Sequence, residues 1–556
     1  MENAEHVEKL NKFIEDYLRS EDEFSPVSAT ALGIHKHDAE LEDFSESNLR
    51  RIKSVLREDE KKFSEINYDA LDRESKIKYH LMLERINSAW RFLEKTRQFE
   101  TDPAFYVALS VNSIFLLLLR NFAPLEDRLI SASSRMEKFP ELFNQARANV
   151  KNPPPVFTSI AFEMVEGAFS IIDSLIPEML KQAPSVKDRV NKARDIARKA
   201  YTDFKHFIVE DLKERSHGDY AIGRELMDEM LKGADFLDFG SDELWEIGQV
   251  ELEKCENEIT EFVKENYDKT RPWREVFHDL KKNHPPAGEL VATYVKFLEE
   301  ARCFVIEKDL VTIPDNQRLI AVETPEFNRK LTPTAAMMPP APYEEDHTSF
   351  LWVTPVDLTQ SPEEQEKQLR DHTYGKIRYV SLHEAYPGHH LQLVYSSRIQ
   401  DPLYKRTFSN IFIEGWAFYC EQLMKEFGYF DKDSEFCQLE SAYWRALRIL
   451  LDIGLHTKRF TFDEAYEFLH SKVIRSPFVA MAEIKRYTET PTQALSYYIG
   501  KLEIFRIRDA YRKTVGSSFN LKKFHDELLS YGSLPPKVIE WKMGIREIDL
   551  PALAMH

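Results

Sequence analysis

Three histidines and a glutamate crowd the string YVSLHEAYPGHHLQLVY, residues 379–395. His383 is followed at once by Glu384, and His389 and His390 come six and seven positions later. Imidazole nitrogens and carboxylate oxygens are zinc ligands. In the pattern HExxH the two histidines stand four residues apart on one helix face, with the glutamate placed to act on a coordinated water. Here the second histidine comes two residues too late for that geometry. Pro387 has no N–H for the carbonyl of His383 and its ring crowds that carbonyl, so the helix is expected to bulge or break inside the motif. Unwinding of this kind absorbs extra residues and brings a later histidine back toward the first. The spacing leaves open whether that histidine is His389 or His390.

A third ligand is available downstream. The segment NIFIEGWAFYCEQLM, residues 410–424, reads as an apolar helix in which Glu414 stands among Ile411, Phe412, Ile413, Trp416 and Phe418. A carboxylate in such surroundings needs a cation or strong donors. Two histidines and one glutamate would hold one zinc ion per chain and leave its fourth position open, the pattern of a catalytic site. Water there would have a pKa near about 7. Glu384 would take its proton as general base and pass it to a leaving nitrogen.

Residues 438–455 read as a second, strongly apolar helix that carries a polar row of Ser441, Arg445, Arg448 and Asp452, with His456 one turn further. Spacings of three and four put these on one stripe, and a polar stripe on a buried helix must face a partner or a wet cavity. Either it supports the metal ligands or binds a substrate carboxylate through an arginine, or Arg448 and Asp452 form an internal ion pair.

The elements that must position these residues are mostly helical. Glycine is scarce, 17 in 556 residues, against a usual share of about 7%. Apolar residues recur at three- and four-residue spacing over residues 5–20, 47–66, 73–98, 124–147, 186–213 and 241–267. Between about 310 and 357 prolines and β-branched residues break the period and predict loops and short strands, with 319–322 and 350–354 the strand candidates. Helix returns at 362, with Ser361 and Pro362 in capping and first-turn positions. The expected fold is mainly α and two-lobed: a helical lobe over 1–310 and a catalytic lobe over 311–556 with a small sheet at about 318–357. The two form one continuous unit with a substrate cleft between lobes. Residues 103–119 carry no charge, but they fall short of the roughly 20 a bilayer needs and include Ser110, Asn112 and Ser113, so a buried helix is expected.

With 94 acidic against 75 basic residues the formal charge is −19, which repels nucleic acid and anionic membranes. Four cysteines without a CxxC pair, and a charged N-terminal stretch without an apolar run, point to a reducing cytoplasm.

The strings HEAYPGHHLQ, EGWAFYCE, RALRILLDIGLH and PTQALSYYIGKLEIFRIR, with PVSATALGIHKHDAELEDFS near the start, resemble the family called domain of unknown function 885 over nearly the whole chain. That family is similar to the helical gluzincin metallopeptidases, such as angiotensin-converting enzyme, thimet oligopeptidase and carboxypeptidase Taq. The resemblance implies a zincin-like fold. It also implies that the Gly-His step picks His389 as second ligand, beside His383 and Glu414, with Glu384 as base and His390 beside the site. In those peptidases a tyrosine or histidine from a late helix donates to the oxyanion, for which Tyr497 is the counterpart and Tyr498 its neighbour; Tyr497 shares a helical face with Lys501 and Arg508. An edge strand there pairs with extended substrate, the role expected for residues 350–354. The implied activity is zinc-dependent hydrolysis of amide bonds in short peptides. The rivals are a metal-dependent amidase acting on a non-peptide metabolite and a non-catalytic helical scaffold.

Overall fold

A computed structural model describes residues 2–324, 329, 334–474 and 476–549. Helices dominate it, and many open on a capping side chain. Ser45 opens Glu46–Ser64 by accepting the N–H of Asn48, and Asp72 opens Arg73–Trp90 by accepting that of Ser75. The expected helix over 124–147 divides into Leu125–Met136 and Phe139–Asn149. Pro140 enforces the break, because a residue without an N–H is tolerated only in a first turn.

The chain forms two compact units, one taking the described residues up to Ile222 with Ile548 and Asp549, the other Gly223–Glu547. In the first, the uncharged segment is the helix Pro103–Leu119, which buries Tyr106, Val107 and Leu117. Its Ser110 hydroxyl lies 2.8 Å from that of Tyr201, and its Ser113 hydroxyl donates to the Ser110 carbonyl at 2.7 Å, so its two buried serines are satisfied within protein. The neighbouring run Pro155–Leu180 is long and apolar enough to cross a membrane by length and composition, and it packs against Pro103–Leu119.

The boundary falls at 222 and not at 310. Helices Ser241–Asn266 and Leu290–Glu307, expected in the N-terminal lobe, belong to the second unit. Ser241–Asn266 packs along Lys432–His456, and Leu290–Glu307 lies on Tyr374–Glu384, where the Arg378 guanidinium sits 4.6 Å over the Phe297 ring. Periodicity shows that a helix face will be buried but not which element covers it.

The second unit carries a three-stranded sheet of β1 (Arg318–Glu323), β2 (Ala335–Met338) and β3 (Thr348–Val353), in the order β1-β3-β2. β1 and β3 run parallel, with Ile320 opposite Phe350; β2 is antiparallel to β3, with Met337 opposite Leu351. The segment expected to offer a free edge is therefore the central strand, its hydrogen bonds taken on both sides. The strand at Ala335–Met338 was not expected, since four residues beside prolines carry no alternation.

Two helices cross at the heart of this unit, Asn410–Glu426, which carries Glu414, and Ser496–Val515, which carries Tyr497. They touch backbone to backbone, for a Cβ on Gly415 would overlap Gly500 and one on Gly500 would overlap the carbonyl of Ile411. Behind the crossing, His525 on Leu521–Ser530 is fully buried. Its Nδ1–H donates to the carbonyl of Leu310 at 2.7 Å, leaving Nε2 to accept from the Tyr419 hydroxyl at 2.8 Å. Burial holds its pKa down to about 4, against the opposing pull of that carbonyl. The folded state thus binds fewer protons than the unfolded chain below pH 6.5. The stability His525 contributes is complete above that pH and is lost as pH falls toward 4. In urea unfolding, the chain is expected to lose on the order of 2 kcal/mol more than His525→Gln between pH 7 and pH 5. Equal losses would refute the neutral imidazole.

Candidate metal centre

The helix Tyr374–Glu384 opens on Thr373, whose side chain accepts the N–H of Lys376, and stops immediately after the His-Glu pair. A second helix, His389–Ser397, starts at the next histidine. Between them the Tyr386–Pro387 peptide is cis. The Gly388 N–H reaches the carbonyl of Leu382 at 3.1 Å, and the Leu391 N–H that of Ala385 at 3.3 Å. Both bonds span six residues where an α-helix spans four, so the two surplus residues are absorbed in the break. Only glycine fits at 388, because a Cβ there would overlap the carbonyl of His383. The Trp416 indole donates to the carbonyl of Pro387 at 2.8 Å and ties the break to the Glu414 helix.

His383 and His389 then face each other across 4.7 Å between ring centres, at 88°. Glu414 Oε2 lies 3.3 Å from His389 Nε2 and 3.8 Å from His383 Nε2, and the three ligand atoms fall within 4.8 Å of one another. A tetrahedral ion with bonds of about 2.0–2.1 Å sets its ligand atoms about 3.3 Å apart. Glu414 Oε2 is buried and makes no hydrogen bond of good geometry despite facing both rings. Two imidazoles and a carboxylate aimed at one point suit zinc or another first-row divalent ion. His390, the alternative ligand, turns away: Nδ1 lies 2.7 Å from Ser349 Oγ on β3 and Nε2 2.5 Å from Gln317 Oε1. Burial pushes its pKa down to about 4, and it serves to hold the sheet against the broken helix.

A residue not foreseen from the sequence completes the arrangement. Glu421, fully buried, stands 2.8 Å from His383 Nδ1 and 3.0 Å from Arg445 Nη2, with Gln438 Nε2 at 3.5 Å. It follows Glu414 by seven residues on the same helix, two turns on, so the spacing was its one available signal. A carboxylate on the far nitrogen orients the imidazole and raises its basicity. Burial disfavours a charged His383, but Glu414 and Glu421 outweigh it and hold the imidazole up to about 9. Burial likewise opposes the Glu414 carboxylate, yet His389 and His383 keep it well below the usual carboxylate range. Glu384 is half-buried on the last turn beside His383, with no hydrogen bond or ion pair to any other described residue.

The polar stripe divides among several tasks. Ser441 accepts from Arg445, which supports Glu421. Arg448 pairs with Glu483 at 3.0 Å and not with Asp452. Asp452 instead accepts the N–H groups of Thr492 and Leu495, and burial raises its pKa to about 7 against those bonds. His456 Nε2 donates to the carbonyl of Tyr487 at 2.9 Å. Both residues thus fix the segment leading into the Tyr497 helix. The Tyr497 ring lies 6.4 Å from that of His383 and 13° from parallel. Burial and Glu414 raise its pKa against the pull of Arg448, so its hydroxyl stays protonated. Tyr498 points elsewhere, donating to Glu251 at 2.7 Å, and is no part of the cluster. Lys501 lies over the Phe418 and Tyr498 rings and Arg508 reaches Tyr419 and Glu426, so neither joins Tyr497.

The fold and site define a mainly helical protein with a buried cluster of two histidines and one glutamate. The chain belongs to the DUF885 family, bacterial proteins of unknown function, whose pattern matches residues 26–543. It is similar over 97% of its length to 99% of a candidate lipoprotein of unknown function from Shewanella oneidensis, at 27% identity and a TM-score of 0.80. A candidate lipoprotein from Colwellia psychrerythraea shares the fold at 18% identity, with a TM-score of 0.82 and the same coverage of both chains. No curated protein matches this sequence.

Replacing Glu421 by Gln should weaken zinc binding by about 10–100-fold in competition with a chelating dye, with far-ultraviolet dichroism unchanged. Undiminished affinity would remove Glu421 from the site. Zinc loading at pH 7 should release about one proton per chain from His383, which the ion displaces, and a further fraction from water made acidic near about pH 7. Calorimetry in two buffers of different ionisation enthalpy reads this number.

Proposed function

We propose that the protein is a zinc-dependent hydrolase of amide bonds that acts on short peptides. The observation that carries this reading is the convergence of His383, His389 and Glu414 across the break at Pro387, with Glu384 beside His383 and without an ion-pair partner among the described residues. The resemblance to the helical gluzincins supports it, through the glycine before the second ligand and the carboxylate from a following helix.

A bound divalent ion would supply a Lewis acid that polarises an amide carbonyl and makes water acidic near about pH 7. The chain's residues do the rest. Glu384 accepts a proton from the attacking water and delivers it to the departing nitrogen. Glu421 and Arg445 keep the His383 ring in place throughout. Tyr497, protonated and stacked beside His383, donates its hydroxyl to the oxygen that gains charge as the carbonyl carbon becomes tetrahedral.

Purified protein is expected to carry about one zinc per chain and to cleave members of a mixed oligopeptide pool. Glu384→Gln should keep the metal and lose about 10²–10⁴-fold in rate. Tyr497→Phe should lower kcat by about 10²–10³-fold with KM little changed. Metal retained with undiminished activity in Glu384→Gln would refute the general base. No cleavage of any peptide at saturating zinc would favour the amidase, and a chain that binds no metal would favour the scaffold.

A further inference from the structure

Against the Tyr497 ring stands a wall in which two guanidinium groups share one carboxylate. Arg448 Nη2 and Arg486 Nη2 each lie 3.0 Å from one oxygen, Glu483 Oε2, which also accepts the Tyr487 hydroxyl at 2.5 Å. Neither guanidinium has a second ion-pair partner among the described residues. Two cations share one carboxylate, so the positive charge hydrogen-bonded here exceeds the negative. Asp452, the nearest acid on the Arg448 helix, bonds backbone N–H groups and neither guanidinium, and burial leaves it only partly ionised at neutral pH. Arg445, the next cation toward the histidines, is matched by Glu421. Uncompensated charge in a partly buried place is costly, and its persistence calls for an anion from outside.

The wall stands at the right distance for a substrate to supply one. The Arg448 guanidinium carbon lies 4.9 Å from the Tyr497 ring centre, and that ring lies 6.4 Å from His383. An extended peptide advances about 3.3–3.6 Å per residue, so at most about three residues separate the wall from the histidines. The Arg486 side chain is 34% exposed and that of Arg448 10%, so the wall meets solvent at Arg486. A surplus of at most about one charge matches a monoanionic carboxylate better than a phosphate monoester, which carries about −1.5 to −2. Guanidinium donors also fit the planar, two-oxygen shape of a carboxylate.

We propose that Arg448 and Arg486 receive the free C-terminal carboxylate of a peptide substrate and so place its scissile bond one to three residues upstream, beside His383 and Tyr497. The cleavage half rests on the metal-hydrolase reading; the carboxylate half does not.

The test is made on zinc-loaded Glu384→Gln, which holds peptide without turning it over, with Ala-Ala-Ala and its C-terminal amide as probes in calorimetry. The acid is expected to bind at least tenfold tighter than the amide. Arg486→Gln and Arg448→Lys, each added to that background, should bring the ratio close to one with zinc content unchanged. Arg486 is the more exposed of the two, so its variant keeps the test valid if Arg448→Lys melts early. Equal binding of acid and amide overturns the proposal. A preference that survives both arginine variants also overturns it, since the metal would then hold the carboxylate. An arginine-dependent preference in a chain whose wild type cleaves no peptide of the mixed pool supports the carboxylate site while the hydrolase reading falls.

Discussion

The approach of Gly388 beneath the carbonyl of His383 is the constraint on which the centre depends. Two helices that would otherwise be one are held end to end by bonds reaching six residues back, and the space between them admits no side chain. Any Cβ at that point would drive His389–Ser397 away from Tyr374–Glu384 and carry its imidazole off the common point. The indole of Trp416 locks the same break to the Glu414 helix, so the third ligand is registered against the first two by a hydrogen bond and not by loop length. Because the second helix starts at His389, consecutive histidines project about 100° apart. One meets Glu414, and the other is left to the sheet through Ser349 and Gln317.

Around this break the interior is organised as alternating charge. Glu414, His383, Glu421 and Arg445 follow one another at 3.8, 2.8 and 3.0 Å, each acid set against a base. Their surroundings are otherwise the apolar faces of long helices, where desolvation commonly exceeds the attraction within a single pair. A hydrophobic replacement would suit stability as well. What the series provides is a fixed imidazole with one nitrogen committed and the other turned to the site. The backbone contact of Gly415 with Gly500 stands next to Glu414 on one helix and within a turn of Tyr497 on the other, and it brings the Tyr497 ring alongside His383.

Much of this was legible in the chain. Apolar spacing and caps marked the helices, Pro387 marked the break, and Glu414 in an apolar helix announced a buried acid that needed a cation. Glu421 escaped because one acid among several on a helix carries no mark of what it will face, and its partner His383 is 38 residues away. The Arg448 to Asp452 pairing failed for a similar reason. Helical spacing makes that pair available, but Glu483 and the N–H groups of Thr492 and Leu495 compete for the same two side chains from other parts of the chain.

The sequence by itself determined what is local: where helices start, where one must break, which residues are too polar for the faces they occupy. Such properties follow from backbone sterics and from the cost of burying charge, both of which act over a few residues. Only the tertiary structure decided that His389 and not His390 turns toward Glu414, that β3 lies in the middle of its sheet, and that helices before residue 310 pack with those after it. Each of those outcomes is a competition between surfaces distant in the chain, settled by which pair excludes water and satisfies its hydrogen bonds together.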